Sequence, residues 1–95
     1  MGIVFEVQDF SKRRIRMTSE RLSHIVAEHP EIVPYSEELI RVLKEPERVN
    51  AKSKTVYYYS RFYKQREQSQ QLLVIVKYLN NHGFVITAYF VRSLP

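Results

Sequence analysis

Four side chains in this sequence are of the types that transfer protons or stabilise negative charge beside a phosphate group. His24 and His29 are the natural proton carriers because imidazole titrates nearest to neutral pH. Lys77 interrupts the apolar run from 72 to 79, where a charge must reach solvent or an anion. Thr87 can donate a hydrogen bond to a phosphate oxygen. These types would suit RNA cleavage without a metal, which needs a base for the 2′-hydroxyl proton, an acid for the leaving 5′-oxygen and donors around the phosphorane.

The histidine spacing and the absence of cysteine argue against metal chemistry. His24 and His29 are five positions apart, so on a regular helix they point about 140° from each other and cannot form an i,i+4 zinc pair. With no cysteine, thiolate nucleophiles, disulfides and Cys-based zinc sites are excluded. We therefore expect no metal and no cofactor. His82 falls in a predicted tight turn and is interpreted as either structural or without a role.

Each candidate also has a structural interpretation. Lys77 could be a solvated lysine on an open sheet face, and Thr87 is a good strand former wherever it occurs. His29 precedes Pro30 at a predicted helix end, where histidines are common, and His24 could be an ordinary surface residue.

A second group of residues suggests RNA binding. Tyr57, Tyr59, Arg61 and Tyr63 alternate along one predicted strand and so share one face of it. Aromatic rings interleaved with arginine can stack bases and hold phosphates. Equally, tyrosines are favoured in strands and cover sheet surfaces well.

Composition sets the broad class of protein. The 95 residues carry a formal charge of +5, which favours polyanionic partners such as RNA. We expect one domain over residues 1–95. The apolar runs are too short to span a bilayer, so no membrane association is expected. The first residues lack a secretory pattern and there is no cysteine, which together favour the cytoplasm.

Two helices have explicit start and stop signals. Thr18 can cap the first helix, and Pro30 should end it at about Glu28 or His29. Ser36 is the expected cap of the second helix, which Pro46 terminates.

The remaining pattern is that of strands. Short strands are plausible where Ile3, Phe5 and Val7 alternate and again at Ile15 and Met17. From residue 55 onward, segments 56–63, 72–79 and 84–91 form a predicted antiparallel meander.

The last hairpin of this meander allows a prediction of register. A type I turn with a glycine bulge over residues 80–83 would place Lys77 opposite Thr87 and Ile75 opposite Tyr89 on one face. The other face would carry the residues that receive the helices, namely Val74, Val76, Tyr78, Ile86, Ala88 and Phe90.

Several segments together resemble the phage-associated barnase/EndoU/colicin/RelE-like nucleases. They are Met17 to Ile25, Glu28-His29-Pro30-Glu31, Leu43 to Pro46, Tyr57-Tyr58-Tyr59, Leu73 to Lys77 and Gly83 to Tyr89. The resemblance covers about residues 15–91. It implies an α+β fold with two N-terminal helices packed on one face of a four-stranded antiparallel sheet. It also implies a catalytic set of His24 or His29 with Lys77, Thr87 and Tyr89.

Three hypotheses follow. The first is a metal-independent endoribonuclease of the toxin type, neutralised by an acidic antitoxin protein. The second is a non-catalytic RNA- or ribosome-binding module that uses the tyrosine-arginine face. The third is a protein-interaction component without a nucleic-acid role, whose binding would not depend on salt.

Overall fold

The computed structural model describes residues 2–95, in which a helical segment separates a hairpin from a longer strand meander. The elements in chain order are β1 (Ile3–Gln8), β2 (Arg14–Thr18), α1 (Ser19–Glu28), a 3-10 helix (Pro30–Tyr35), α2 (Ser36–Lys44), β3 (Arg48–Ala51), β4 (Val56–Phe62), β5 (Gln71–Leu79) and β6 (His82–Val91).

All six strands belong to one sheet, with the order β1-β2-β6-β5-β4-β3. The pair β2 and β6 is parallel, and the other neighbours are antiparallel. The predicted four-stranded antiparallel sheet is therefore wrong. Its error lies at both edges: β3 extends one side, and the hairpin β1-β2 extends the other by pairing Ile15 with Gly83. This hairpin satisfies backbone groups of β6 that would otherwise form an open edge.

The predicted helix boundaries are confirmed at the main points. The Thr18 hydroxyl accepts a hydrogen bond from the Arg21 amide at 3.1 Å, and α1 ends at Glu28 before Pro30. The expected cap at Ser36 is wrong by one residue, because Tyr35 occupies the N-cap position of α2. The Ser36 hydroxyl instead donates to the carbonyl of Val33 in the preceding 3-10 helix, at 2.9 Å.

The last hairpin closes more tightly than predicted. Asn80 and Asn81 both have positive φ, 53° and 69°, and the strands resume at once with Leu79 opposite His82. This is the geometry of a two-residue turn with both central residues left-handed, which asparagine tolerates well. The predicted type I turn with a bulge at Gly83 is wrong, since the described glycines have no positive φ.

The tighter turn changes the register of β5 against β6. Ile75 lies opposite Thr87 and Leu73 opposite Tyr89; after a bulge beside Ile75, Lys77 lies opposite Phe84. The predicted pairs of Lys77 with Thr87 and of Ile75 with Tyr89 are therefore wrong. Their face is nevertheless right, because a shift of two residues keeps a side chain on the same face of a sheet.

The two faces of the sheet are covered differently. The helix face packs against α1, α2 and the 3-10 helix to form the core, which contains Ile15, Met17, Ile25, Ile32, Leu39, Val42, Leu43, Tyr59, Tyr63, Leu72, Val74, Val76, Tyr78, Val85, Ala88 and Phe90. Ile86 was expected in this set but lies at the bulge, 36% exposed. The opposite, open face carries Lys77, Phe84, Thr87 and Tyr89 by alternation and register. Within residues 2–95, no helix is long and apolar enough to cross a membrane.

Candidate nucleic-acid interface

The ring of His29 stacks on the ring of Tyr89, which joins the end of α1 to the sheet. The ring centroids are 4.9 Å apart and the planes differ by 23°. His29 is the C-cap of α1, and its amide donates to the Ile25 carbonyl at 2.7 Å. The contact is feasible because β2 pairs with β6 only as far as Phe84, so α1 can lie beside the later part of β6.

Thr87 and Lys77 continue from this contact along the open face. Thr87 is half-buried and precedes Tyr89 by two residues, which is about 7 Å along a strand. Lys77 is exposed on β5, two residues beyond the Thr87 partner Ile75, and so is a diagonal neighbour of Thr87. Tyr89, Thr87 and Lys77 thus share the open face, and His29 reaches Tyr89 from the end of α1; we call these four residues the open-face site.

His29 also has an acidic neighbour. Its Nδ1 lies 3.8 Å from Oε2 of Glu31, and both side chains are about one-third exposed. This separation is too long for a direct hydrogen bond.

The structure does not bring the other predicted histidine into this group. His24 is exposed on α1, whose buried side chain is the next residue, Ile25. His82, interpreted as structural, is the first residue of β6 and is exposed.

The predicted tyrosine-arginine platform faces the helices and not solvent. Tyr59 and Tyr63 are 0% and 7% exposed, and the Tyr63 hydroxyl donates to Oε1 of Glu38 on α2 at 2.6 Å. Arg61 donates to the Glu45 carbonyl at the end of α2, and Tyr57 packs against the core. The rings of Tyr59 and Tyr63 therefore cannot receive a base in this arrangement, and an RNA-binding role for this face stays a prediction. The four residues do share one face of the segment 57–63, as predicted, but this face is the one that packs against the helices.

A buried polar network that the sequence analysis missed fixes the connection between β1 and β2. Oδ1 of Asp9 accepts from the Ser11 amide at 2.8 Å, the Ser11 hydroxyl at 2.7 Å and the Arg13 amide at 2.9 Å. Lys12 completes this turn with a φ of 72°. An aspartate two residues before a serine is a known turn signal, and it was available in the sequence.

The other oxygen of Asp9 binds the sheet. Tyr59 donates to Oδ2 at 2.6 Å, and its own oxygen lies 2.5 Å from the Tyr78 hydroxyl. Either hydroxyl can donate in this second contact, and the Tyr78 hydroxyl can also donate to Oδ2 of Asp9, at 3.2 Å. The guanidinium of Arg13 lies over two tyrosine rings, 4.0 Å from the centroid of Tyr78 and 4.5 Å from the centroid of Tyr57.

The network changes the proton affinities of its members. Burial disfavours ionisation of Asp9, but hydrogen bonds from Tyr59 and Ser11 outweigh it and hold the pKa of Asp9 below its ordinary value of 3.8. Burial and the bond to Asp9 raise the pKa of Tyr59 well above its usual range, and burial raises the pKa of Tyr78 to about 12. Both phenols therefore stay neutral and act as donors, which gives the network a structural role.

Cations of β2 add positive charge to the open face. Arg14 is exposed, and Nε of Arg16 donates to Oε2 of Glu6 on β1 at 2.5 Å. This hydrogen bond lowers the pKa of Glu6, so the carboxylate remains charged and balances one of the two arginines.

The described part of the chain contains no group of three or more His, Asp or Glu side chains placed to hold a metal ion. Comparison with known proteins gives no relative: no protein-family model, no curated protein and no solved structure matches the chain.

Proposed function

We propose that the chain is a metal-independent endoribonuclease of the toxin type, which cleaves RNA at the open-face site. The observation that carries this proposal is the stacking of His29 on Tyr89, at 4.9 Å, on the same sheet face as Thr87 and Lys77. The stack links a proton-transfer group at the end of α1 to the strand that carries Thr87.

The proposed reaction assigns one role to each residue. The RNA 2′-oxygen attacks the adjacent phosphorus as His29 accepts its proton, and the bond from phosphorus to the 5′-oxygen breaks. The products are a 2′,3′-cyclic phosphate and a 5′-hydroxyl, whose proton returns from the imidazolium. Lys77 and Thr87 stabilise the negative charge of the phosphorane, which forms above Thr87.

Tyr89 and Glu31 support the histidine in this proposal. The Tyr89 ring fixes the orientation of the imidazole by stacking, and the Glu31 carboxylate at 3.8 Å stabilises the imidazolium between the two proton transfers. Oriented groups of this kind lower the entropic cost of reaching the reactive geometry.

The biological setting is also a proposal. A charge of +5 favours binding to RNA, and a toxin of this type would act in the cytoplasm, where an acidic antitoxin would cover its basic residues.

The main alternative is a protein that binds RNA on the open face without cleaving it. The cations of β2 and β5 support it as well as they support the nuclease, since they are exposed or half-exposed on that face. The two functions differ in whether bound RNA is cut.

The test is incubation of the purified protein with mixed RNA in EDTA. The informative variants are Lys77→Ala and His29→Phe, because phenylalanine keeps a ring on Tyr89 while removing the imidazole. Lys44→Ala is the matched control, an exposed lysine at the end of α2 on the other side of the sheet. We expect cyclic-phosphate products from wild type and Lys44→Ala, and a loss of about 100-fold or more in the two site variants. A folded wild type that leaves RNA intact would refute the proposal, as would equal cleavage by all four proteins.

A further inference from the structure

A phenylalanine on the open face lies between two cations in one row across three strands. Phe84 of β6 pairs with Arg16 of β2 on one side and with Lys77 of β5 on the other. Neighbouring strands are about 4.8 Å apart, so the two cationic residues are separated by roughly 10 Å with the aromatic residue midway. The roles proposed for the open-face site do not explain why Phe84 lies between Arg16 and Lys77.

The backbone around Phe84 requires its ring to point away from the core. Gly83 faces the helix side, where an added Cβ would lie 2.7 Å from the Tyr78 ring and 3.0 Å from Ile15. Val85, on the other side, is 4% exposed in the core. Because side chains alternate along a strand, Phe84 projects to the open face, where it is only half-buried.

The opposite end of the open face is covered differently. Leu94 and Pro95 lie with Tyr58, Ser60 and Leu73 around a cleft of about 560 Å³. The Lys52 ammonium donates to the Pro95 carbonyl at 2.8 Å and holds this segment in place. Leu73 beside this cleft is 1% exposed, whereas Lys77 at the other end of β5 is exposed.

The net charge of the side chains around Phe84 is positive even when the carboxylate of Glu6 is included. Arg14, opposite His82, forms a second row about 7 Å from the first on the same face. Glu6 compensates Arg16 through their hydrogen bond, which leaves Arg14 and Lys77 as the cations on the two sides of the ring.

We infer that Phe84 is a stacking platform for one unpaired nucleobase, and that Lys77 on one side and Arg14 on the other bind the flanking phosphates. The ligand class is single-stranded nucleic acid, because an aromatic side chain can stack only on a base whose face is not already covered in a duplex. The inference rests on the proposed function, since it describes how that enzyme holds its substrate beside the open-face site.

The geometry connects the platform to cleavage. Lys77 borders both Phe84 and Thr87, so a base on Phe84 would belong to a nucleotide next to the phosphate that reacts. The platform thereby selects an unpaired nucleotide at that position.

The experiment measures binding of a 2′-deoxy hexanucleotide, which cannot undergo 2′-hydroxyl attack. The chain contains no tryptophan, so Phe84→Trp introduces one tryptophan at the platform, whose fluorescence can be excited selectively over that of the seven tyrosines. We expect the single strand to quench this fluorescence, and the same sequence in a hairpin duplex or inorganic polyphosphate to leave it largely unchanged. We also expect Phe84→Leu, which keeps an apolar side chain, to weaken binding of the single strand by about tenfold or more.

The control is Phe62→Leu, since Phe62 is a 45% exposed phenylalanine on the same face, paired with Gln71 and not with a cation. Thermal melting of each variant confirms that it is folded. Unchanged affinity in Phe84→Leu, no quenching in Phe84→Trp, or equal binding of the duplex would overturn the platform even if RNA were cleaved. Phe84-dependent binding without any cleavage of RNA would support the platform and refute the nuclease.

Discussion

Tyr59 on β4 donates a 2.6 Å hydrogen bond to the buried carboxylate of Asp9, which lies 50 positions earlier in the chain. Asp9 in turn binds three groups of the turn that precedes Arg14. One carboxylate thus joins β4 to the connection between β1 and β2, directly before the arginines of β2.

Asp9→Asn should lower the free energy of unfolding at pH 7 by about 1–3 kcal/mol, since an amide nitrogen cannot accept the Tyr59 proton. Asp9 has a pKa below 3.8 in the folded protein, so its ionised form stabilises the fold above pH 3.8. That stabilisation is lost as the pH falls through the lower folded value.

Urea denaturation at several pH values tests this dependence. The difference between wild type and Asp9→Asn should be largest near pH 7 and should shrink below pH 3.8. Glu67→Gln, at an exposed position, should show a small difference at neutral pH. A pH-independent gap for Asp9→Asn would contradict the assigned role of its charge.

Gly83→Ala should destabilise the fold by about 1–3 kcal/mol, because its Cβ would lie 2.7 Å from Tyr78, 3.0 Å from Ile15 and 3.1 Å from Val76. The matched change Gly2→Ala meets only the Ser19 hydroxyl, at 3.9 Å, and should be nearly neutral. Chemical denaturation of both variants gives the comparison. Equal free energies of unfolding for Gly83→Ala and Gly2→Ala would show that β2 and β6 can move apart without a loss of stability.

Asn81→Gly should raise the free energy of unfolding by a few tenths to about 1 kcal/mol. Asn81 has a φ of 69°, and asparagine followed by glycine is the preferred pair for a turn with two left-handed residues. Asn81→Ala should have the opposite effect, since alanine resists this conformation. Melting temperatures that move in the same direction for both variants would argue against the two-residue turn.

Tyr63→Phe should cost about 1 kcal/mol of stability and leave RNA affinity unchanged. The variant removes the hydroxyl that donates to Glu38 at 2.6 Å, while the ring stays in the core between Tyr35 and Phe90. Chemical denaturation measures the change in stability of Tyr63→Phe, and titration of the same sample with RNA measures its affinity. A marked loss of RNA affinity would return the tyrosine-arginine face to consideration as a binding surface.

The sequence predicted local structure better than pairing. Thr18 and Pro30 bound the first helix as expected because capping and proline effects act within a few residues. The alternation of Ile3, Phe5 and Val7 likewise marks a real strand. That this hairpin joins the last strand in parallel depends on contacts some 70 positions apart, which no local pattern encodes.

The candidate site was predicted in part for the same reason. Lys77, Thr87 and Tyr89 share a face because strand alternation is robust to a shift of two residues. The stacking of His29 on Tyr89 requires the end of α1 to meet β6, which only the assembled fold determines. Tyr59 and Tyr63 were assigned to the wrong environment, since alternation alone does not say which face is buried.

The position of β6 has a consequence during synthesis of the chain. This strand is the last of the six to leave the ribosome, yet it lies inside the sheet and pairs with both β2 and β5. Until β6 emerges, the hairpin β1-β2 has no strand to pair with. Tyr89 cannot yet stack on His29, and Phe84 cannot yet pair with Lys77. The open face therefore forms only after β6 has emerged, even though the other five strands are available for pairing earlier.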